Sequence, residues 1–185
     1  MKYEEELKYL QQQLRYFKEQ AELDLLTKLY NRMSFEKYVN AELEKNRGGC
    51  FLVLDMNNFK KINDNYGHLA GDKVLKEIGL ILKKAFPNPA FAGRVGGDEF
   101  AVYIPEKCVG GKGKKIAVEE KIKSVAEKMA EIIKAVGGDF TVECAVGILE
   151  IIEKENFSTA YEKGDTAMYR AKKLKQIFCW YVHEK

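Results

Sequence analysis

The strongest structural signal in this chain is the segment Arg94-Val95-Gly96-Gly97-Asp98-Glu99-Phe100-Ala101-Val102-Tyr103-Ile104. Its last five residues are apolar and β-prone, which predicts a buried strand. Gly96-Gly97 predicts a two-residue hairpin turn, because glycine accepts positive φ at both turn positions. Asp98 and Glu99 follow directly, and adjacent strand residues point to opposite faces. One acid would therefore face a cleft with the other beside it, an arrangement that suits a hard cation such as Mg²⁺.

A surface hairpin with solvated acids would explain this segment equally well on its own. A second acidic strand end favours the metal hypothesis. Residues 50–56, Cys-Phe-Leu-Val-Leu-Asp-Met, form a near-continuous apolar run, which predicts a strand buried on both faces. Asp55 lies at the end of this run, where a charge is costly unless a partner or a metal neutralises it.

Composition limits the class of protein. The 185 residues suit one domain with an appendage, and 46% apolar residues suffice for a packed core. The formal net charge of +3 comes mostly from dispersed lysines and does not call for nucleic acid. We find no membrane-spanning run or signal peptide. The four cysteines have no metal-type spacing, which predicts reduced core residues of a cytoplasmic domain. No contact of the chain with a membrane is expected.

The N-terminal segment, residues 1–23, is predicted to form a coiled-coil-like helix that precedes a globular domain, residues 24–185. Apolar residues recur at heptad spacing, at Tyr3, Leu7, Leu10, Leu14, Phe17 and Ala21. The alternative is an amphipathic helix packed on its own domain. Strict alternation and the position ahead of the globular part favour a parallel dimer helix.

Turn and cap residues set the expected boundaries of the next elements. Asp24 and Thr27 suit a turn, and Asn31 with Arg32 could fix a loop or contact a ligand. Ser34 is expected to cap one helix and Asp72 to head another. Residues 105–115 look like a mobile loop.

The order of elements predicts an α/β (α+β) fold. Strand, helix, strand, strand, helix, strand is the βαββαβ pattern of a ferredoxin-like palm with a mixed antiparallel sheet, here with an extra C-terminal helix and strand. Its first and third strands commonly pair antiparallel. That pairing would bring Asp55, Asp98 and Glu99 to one rim of the sheet, as ligands for one or two Mg²⁺ ions in phosphoryl transfer.

The segment after Asp55 offers groups that suit a nucleotide. Lys60 is placed to touch a phosphate. Asn63, His68 and Asp72 could read a base, since a carboxylate accepts two hydrogen bonds from a guanine edge. Each of these residues could instead be a turn residue or a helix cap, which for Asp72 alone would be the better interpretation.

From about Asp24 to the C-terminus, the chain resembles the GGDEF-domain diguanylate cyclases. The resemblance rests on several motifs in the family's order: Asp24-Leu25-Leu26-Thr27-Lys28-Leu29-Tyr30-Asn31-Arg32, Phe59-Lys60-Lys61-Ile62-Asn63-Asp64, Gly67-His68, Gly71-Asp72, Gly96-Gly97-Asp98-Glu99-Phe100, and Asp165-Thr166-Ala167-Met168-Tyr169-Arg170-Ala171-Lys172. It implies condensation of two GTP into cyclic di-GMP with release of two pyrophosphates, across an antiparallel homodimer.

The resemblance also implies roles for individual residues. The metal ligands, for Mg²⁺ or Mn²⁺, would be Asp55, Asp98, Glu99 and the Met56 carbonyl. Asp98 or Glu99 would help deprotonate the 3′-hydroxyl, and Lys60 would stabilise phosphate charge. The expected guanosine contacts are Asn63, His68 and Asp72, and Lys172 is expected to reach the terminal phosphates. Phe59 is a further expected substrate-binding residue.

Several positions depart from the family pattern. Asn57 replaces a usual Asp, and Gln176 replaces a phosphate-binding Arg; Lys175 supplies charge beside it without the guanidinium fork. These departures bear on GTP affinity more than on chemistry. The inhibitory Arg-x-x-Asp site of many relatives falls on Pro87 and Ala90, so no product inhibition is expected there.

Two other functions remain open from the sequence. A GTP-binding or dimer-scaffolding relay module with little turnover would be compatible with Asn57 and Gln176. A nucleic-acid polymerase palm shares the acidic rim, but this length leaves no room for fingers and a thumb. An upstream sensor domain is a possible partner of either GTP-binding function.

Overall fold

The computed structural model describes residues 2–45, 47–111, 113–136 and 143–183. Along these residues seven helices and six strands follow one another. In chain order they are α1 (Lys2–Glu22), β1 (Tyr30–Asn31), α2 (Arg32–Leu43), β2 (Gly49–Asn57), α3 (Phe59–Tyr66), α4 (His68–Ala85), β3 (Phe91–Arg94), β4 (Glu99–Pro105), α5 (Glu106–Val109), α6 (Lys114–Val136), β5 (Glu143–Ile151), α7 (Phe157–Leu174) and β6 (Phe178–Trp180).

The strands form one mixed sheet in the order β1-β3-β4-β2-β5-β6. The central strand β2 pairs antiparallel with β4 on one side and with β5 on the other. β3 pairs antiparallel with β4, while β1 and β6 add parallel edges. The βαββαβ prediction is therefore confirmed, as is the added C-terminal helix and strand.

Helices cover both faces of β2, which explains its continuous apolar sequence. On one face Leu52 and Leu54 belong to a buried cluster that includes Ile78 of α4 and Val125 of α6. On the other face Phe51 and Val53 belong to a cluster that includes residues of α2 and α7. The core thus holds β2 from both sides and fixes the position of its acidic end.

The predicted two-residue hairpin turn is wrong. Gly96 and Gly97 are not among the glycines with positive φ, and the loop between β3 and β4 spans residues 95–98. The Val95 and Gly96 amides both donate to the Glu99 carbonyl, at 3.0 and 3.3 Å. Asp98 consequently lies in the loop, and Glu99 begins the strand.

Other element boundaries also differ from the expectations. Asn31, not Ser34, caps α2, because the Asn31 side chain accepts a hydrogen bond from the Ser34 amide at 3.0 Å. α4 begins at His68, a turn before Asp72. The expected loop from 105 to 115 contains the short helix α5 and the start of α6. Gly137-Gly138, a pair that predicts the end of this helix from the sequence, lies outside the described residues.

The N-terminal helix presents its apolar seam to solvent. Leu7, Leu10, Leu14 and Phe17 are 57, 56, 71 and 63% exposed. Packing of this seam on its own domain, the alternative weighed from the sequence, is therefore not observed. Among the described residues no helix is both long enough and apolar enough to cross a bilayer.

All four cysteines are free, as predicted, but the prediction that all four belong to the core is wrong for Cys108. Cys50, Cys144 and Cys179 are buried, whereas Cys108 is exposed on α5.

Candidate functional site

The acidic rim forms where β2 ends beside the start of β4. The register pairs Asp55 directly with Glu99, and Asp98 precedes Glu99 in the loop. Pairing of the first and third core strands thus brings together the acids that the sequence separates by more than forty positions.

Lys172 of α7 neutralises Asp55. Its Nζ lies 2.6 Å from Asp55 Oδ1, and the two side chains are 33 and 17% exposed. Residues 117 positions apart meet here because α7 packs across β2 and β5 toward the rim. A partly buried carboxylate that is held by a single lysine has remaining acceptor capacity for a cation.

Asp98 lies in a field that disfavours its charge. Burial raises the pKa of Asp98 above its ordinary value, and the nearby charge of Asp55 raises it further. Lys172 and Arg94 oppose the increase without cancelling it. Two carboxylates that repel each other at a partly buried rim fit a divalent cation, which would favour both ionised forms.

Glu99 has a different environment from Asp98. Tyr161 of α7 donates a hydrogen bond from its hydroxyl to Glu99 Oε2 at 3.3 Å. Burial, with the Glu99 charge, raises the pKa of Tyr161, so this hydroxyl remains a donor at neutral pH. Across the described ranges no group of three or more His, Cys, Asp or Glu side chains is arranged to hold a metal. The observed acidic centre is therefore the pair Asp55 and Asp98, with Glu99 held to one side.

Arg94 braces the loop that carries Asp98. Its Nε and Nη2 donate to the Gly97 carbonyl at 3.0 and 2.7 Å, and its Nη1 lies 3.3 Å from Asp24 Oδ1. Arg32 Nη1 donates to the Val95 carbonyl at 3.4 Å, so the loop-fixing role weighed for Arg32 is observed. The roles of Arg94 and Tyr161 were not predicted from the sequence. A cationic residue two positions before Gly96 was a usable signal for Arg94, whereas no local signal indicated the role of Tyr161.

Asp24 anchors this brace. Thr27 donates to Asp24 Oδ1 from its amide and its hydroxyl, at 2.8 and 2.7 Å, which confirms the predicted turn. Burial alone would raise the pKa of Asp24, but the Thr27 hydrogen bonds and the Arg94 charge lower it overall. Asp24 thus stays ionised and keeps Arg94 oriented.

The predicted nucleotide residues lie on α3 and α4. Asn58, in the left-handed region at φ 61°, turns the chain from β2 into α3, so that Lys60 follows the rim closely and is exposed. A Cβ on Gly71 would collide with the Asn63 side-chain oxygen and approach Phe59 Cζ to 3.1 Å. Asn63 therefore packs against Gly71, the residue before Asp72. His68 and Asp72 are exposed.

A cleft of about 830 Å³ adjoins the rim. Met56, Asn57, Lys172, Lys175 and Gln176 are among its lining residues, so the departures at Asn57 and Gln176 lie in one cleft. The Gln176 amide oxygen accepts a hydrogen bond from Cys179 Sγ at 3.4 Å. Lys175 is exposed and lines the same cleft as Lys172.

Comparisons with known proteins agree with this geometry. The family model described as "Diguanylate cyclase, GGDEF domain" matches residues 21–176. YhcK of Bacillus subtilis, an uncharacterized protein, is 39% identical over 136 residues, which are 71% of this chain and 37% of that protein. The diguanylate cyclase DgcS of Shewanella oneidensis is 35% identical over 157 residues, 83% of this chain and 50% of that protein.

A solved structure shows the same fold. The diguanylate cyclase SiaD of Pseudomonas aeruginosa, crystallised with its activator SiaC, superposes with a TM-score of 0.78 at 26% identity. The match covers 97% of this chain and 69% of that one. The chain spans half or less of the length of the two curated relatives described above.

Proposed function

This chain belongs to the GGDEF domain family of diguanylate cyclases, and from that premise we propose that it condenses two GTP into cyclic di-GMP as a cytoplasmic homodimer. The observation that carries the proposal is the proximity of the Asp55 and Asp98 carboxylates at one rim, beside Lys172. Such a rim combines acceptors for a cation with a lysine for phosphate, which is what phosphoryl transfer requires.

Enzymes of this family are in general dependent on a divalent metal. We propose Mg²⁺ or Mn²⁺, held by Asp55, Asp98 and the Met56 carbonyl, with Glu99 adjacent. The bound metal supplies charge stabilisation to the reacting phosphate. Asp55 and Asp98 fit this role because each is partly buried and the pair has more negative charge than Lys172 alone balances.

The remaining residues would bind and orient GTP. Lys60 and Lys172 would contact phosphates, and the cleft beside Lys172 has room for a triphosphate. Asn63 and Asp72 would pair with the guanine edge, with Phe59 and His68 beside the nucleoside. This assignment is supported by the packing of Asn63 and Phe59 against Gly71, next to Asp72.

The reaction needs two such sites face to face. The 3′-hydroxyl oxygen of one GTP forms a bond to the α-phosphorus of the other, pyrophosphate leaves, and the hydroxyl proton passes to Asp98 or Glu99. A second, reciprocal attack closes the ring. Because each GTP is both nucleophile and electrophile, one domain cannot complete the product, and the exposed seam of α1 would supply the dimer contact.

The test is to incubate the purified chain with GTP and Mg²⁺ and to separate the products by chromatography. We expect cyclic di-GMP and pyrophosphate in a 1:2 ratio. Absence of cyclic di-GMP with both Mg²⁺ and Mn²⁺, at protein concentrations that give a dimer, would contradict the proposal.

A relay module that binds GTP without turning it over is the second candidate. Its support is that Asn57 and Gln176, in place of a carboxylate and a guanidinium, line the cleft next to Lys172. GTP binding by calorimetry without product formation would favour this candidate. The length of the relatives suggests a further sensor or input domain as a partner in either case.

A further inference from the structure

A second cleft, of about 570 Å³, lies far from the acidic rim. It opens between α2, the end of α4 and the start of β3, and Phe91 forms part of its wall. The register pairs Phe91 with Tyr103, four residues along β4 from Glu99. At about 3.3 Å per residue, this places the cleft toward the opposite end of the sheet. It is therefore separate from the proposed GTP site.

The walls of this cleft are largely aromatic. The Tyr30 and Tyr38 rings lie 4.9 Å apart, and Phe91 lies 6.1 Å from Tyr30 and 6.3 Å from Tyr38. All three side chains are only partly buried, so faces or edges of the rings remain open to the cleft. Leu29 and Phe86, both buried, add apolar surface. Partly exposed rings at these separations favour a flat apolar group that stacks or packs edge-on.

The rim of the cleft is basic. Lys28, Lys45 and Lys83 line it, against one acid, Glu42. Lys45 is paired with Glu42, whereas the amino groups of Lys28 and Lys83 have no ion pair or hydrogen bond within the described residues. Lys28 is held at φ 57°, with its amide donating to the Asp24 carbonyl at 2.9 Å. Two lysines without an ion-pair partner among the described residues, in a cleft with aromatic walls, complement an anion with an apolar body.

We propose that this cleft binds a small aromatic carboxylate, with its ring against Tyr30, Tyr38 and Phe91 and its carboxylate between Lys28 and Lys83. A nucleotide fits less well, because no arginine lines the cleft and few polar side chains are available to pair with a base edge. The Tyr38 hydroxyl is already committed, since it donates to Glu22 at 2.7 Å.

The location connects this site to the N-terminal helix. Leu23 lines the cleft and bridges to Tyr30, and the Tyr38–Glu22 hydrogen bond ties α2 to the last turn of α1. A ligand packed on Tyr30 and Tyr38 would restrict this junction and so the direction of α1. Any effect on turnover rests on the proposed function, whereas binding itself does not.

Binding is tested by calorimetry on the full nucleotide-free chain, with 2-naphthoate as the probe and 2-naphthalenemethanol as its uncharged match. We expect a Kd below about 1 mM for the carboxylate and binding at least tenfold weaker for the alcohol. Lys28→Gln with Lys83→Gln should weaken 2-naphthoate at least tenfold and leave the alcohol unchanged. Lys76→Gln, an exposed lysine on the same helix as Lys83, is the matched control and should bind normally.

A second variant tests the apolar wall. Ala41 is exposed on α2 and lines the cleft, so Ala41→Phe should fill it and abolish binding of both probes without disturbing the core. Far-UV circular dichroism and an unchanged melting temperature confirm the fold of each variant. Two outcomes would overturn the proposal: a Kd of the parent for 2-naphthoate above about 1 mM, or equal binding of 2-naphthoate by the parent and the double lysine variant.

Discussion

Charge balance at the rim depends on a few side chains. Lys172 lies 2.6 Å from Asp55, while Asp98 shares the rim under repulsion from Asp55 and with partial relief from Lys172 and Arg94. Arg94 is in turn held by Asp24 and by the Gly97 carbonyl. The position of Asp98 is therefore set by hydrogen bonds to loop backbone, and its charge is poorly compensated by the protein alone.

Asp98→Asn should abolish turnover and stabilise the fold. We expect turnover to fall about 100-fold or more, because Asp98 is a proposed ligand of the divalent metal. Because folding raises the pKa of Asp98, ionisation of this carboxyl lowers the free energy of unfolding. The full loss applies above the folded-state pKa, and no loss remains at a pH well below the ordinary value of 3.8. With EDTA, the variant should thus melt higher than the parent at pH 7, and this advantage should disappear as the pH falls below 3.8.

The control is Glu77→Gln, an exposed acid on α4, which should leave activity unchanged and show no such pH-dependent gain. Near-normal turnover by Asp98→Asn, or a lower melting temperature at pH 7, would contradict the role given to Asp98.

Asp72 should determine the preference for GTP over ATP. Guanine presents N1–H and the 2-amino group as a donor pair that adenine lacks, and a charged hydrogen bond contributes ~1.5–3 kcal/mol. Asp72→Ala should therefore lower kcat/KM for GTP by about 10- to 100-fold, with little effect on the poor use of ATP. Steady-state kinetics with each nucleotide measures the ratio, and Glu77→Gln on the same helix again serves as the control. Efficient ATP use by the parent would refute the assignment.

At the scale of elements, the close packing of α7 on the sheet positions Lys172. Asn156 and Thr159 cap the start of the helix reciprocally. Further along, Gly164 lies against Gly147 of β5, so closely that a Cβ on Gly147 would overlap the Gly164 carbonyl and the Met168 amide. No side chain separates helix and sheet here, which lets the last turns of α7 reach Asp55.

Gly147→Ala should loosen this packing. Because the obstruction is backbone, α7 must move, and we expect a loss of about 1–3 kcal/mol in the free energy of unfolding by urea. Turnover should fall with it, since displacement of α7 carries Lys172 away from Asp55. Gly113→Ala, where a Cβ would meet nothing within 4 Å, is the matched control. If Gly147→Ala keeps both stability and turnover, the close approach does not position the lysine.

The sequence pattern was sufficient to predict the strand that is buried on both faces, and it was insufficient to predict the conformation of the loops. The apolar run of residues 50–56 predicted β2 within a few residues, because burial on both faces dictates its composition. The Gly96-Gly97 loop was mispredicted because glycine permits positive φ without requiring it, and here the carbonyl of Gly97 is used to accept from Arg94. The Lys172–Asp55 contact could come only from the family pattern or the fold, since no local signal links residues 117 positions apart.

At the scale of the whole molecule, turnover is expected to depend on how two half-sites are brought together. In the proposed homodimer each domain would supply one acidic rim, and the seam of α1 exposes large apolar side chains that a second copy would bury. Linking two domains through such a helix raises the local concentration of one half-site near the other. Assembly and turnover are therefore expected to depend on the same surface.

Removal of residues 1–20 should make specific activity rise steeply with protein concentration, whereas the full chain should vary less. The pair Leu7→Glu and Leu14→Glu, which places charges in the seam, should have the same effect without shortening the chain. Gln12→Glu, on the same helix but off the seam, is the control. Sedimentation equilibrium measures the dimer in parallel, and identical specific activity of all forms at every dilution would show that α1 is not a dimeriser.

The burial of three cysteines leaves the protein with one thiol open to chemical labelling. Burial raises the pKa of Cys50 and of Cys144 to about 12, so neither forms an appreciable thiolate near neutral pH, and Cys179 is covered as well. The native chain should accordingly consume one equivalent of maleimide, and the chain unfolded in guanidinium chloride should consume four. The native Cys108→Ser variant should consume none.

The labelled position is also well placed. Cys108 follows the end of β4 at Pro105, and that strand runs from Glu99 over seven residues, or about 20 Å at the usual rise per residue. A fluorophore on Cys108 would therefore lie beyond the end of β4 that is remote from Asp98. In a dimer it provides a matched pair of dyes, and energy transfer between them would report the separation of the two half-sites during turnover.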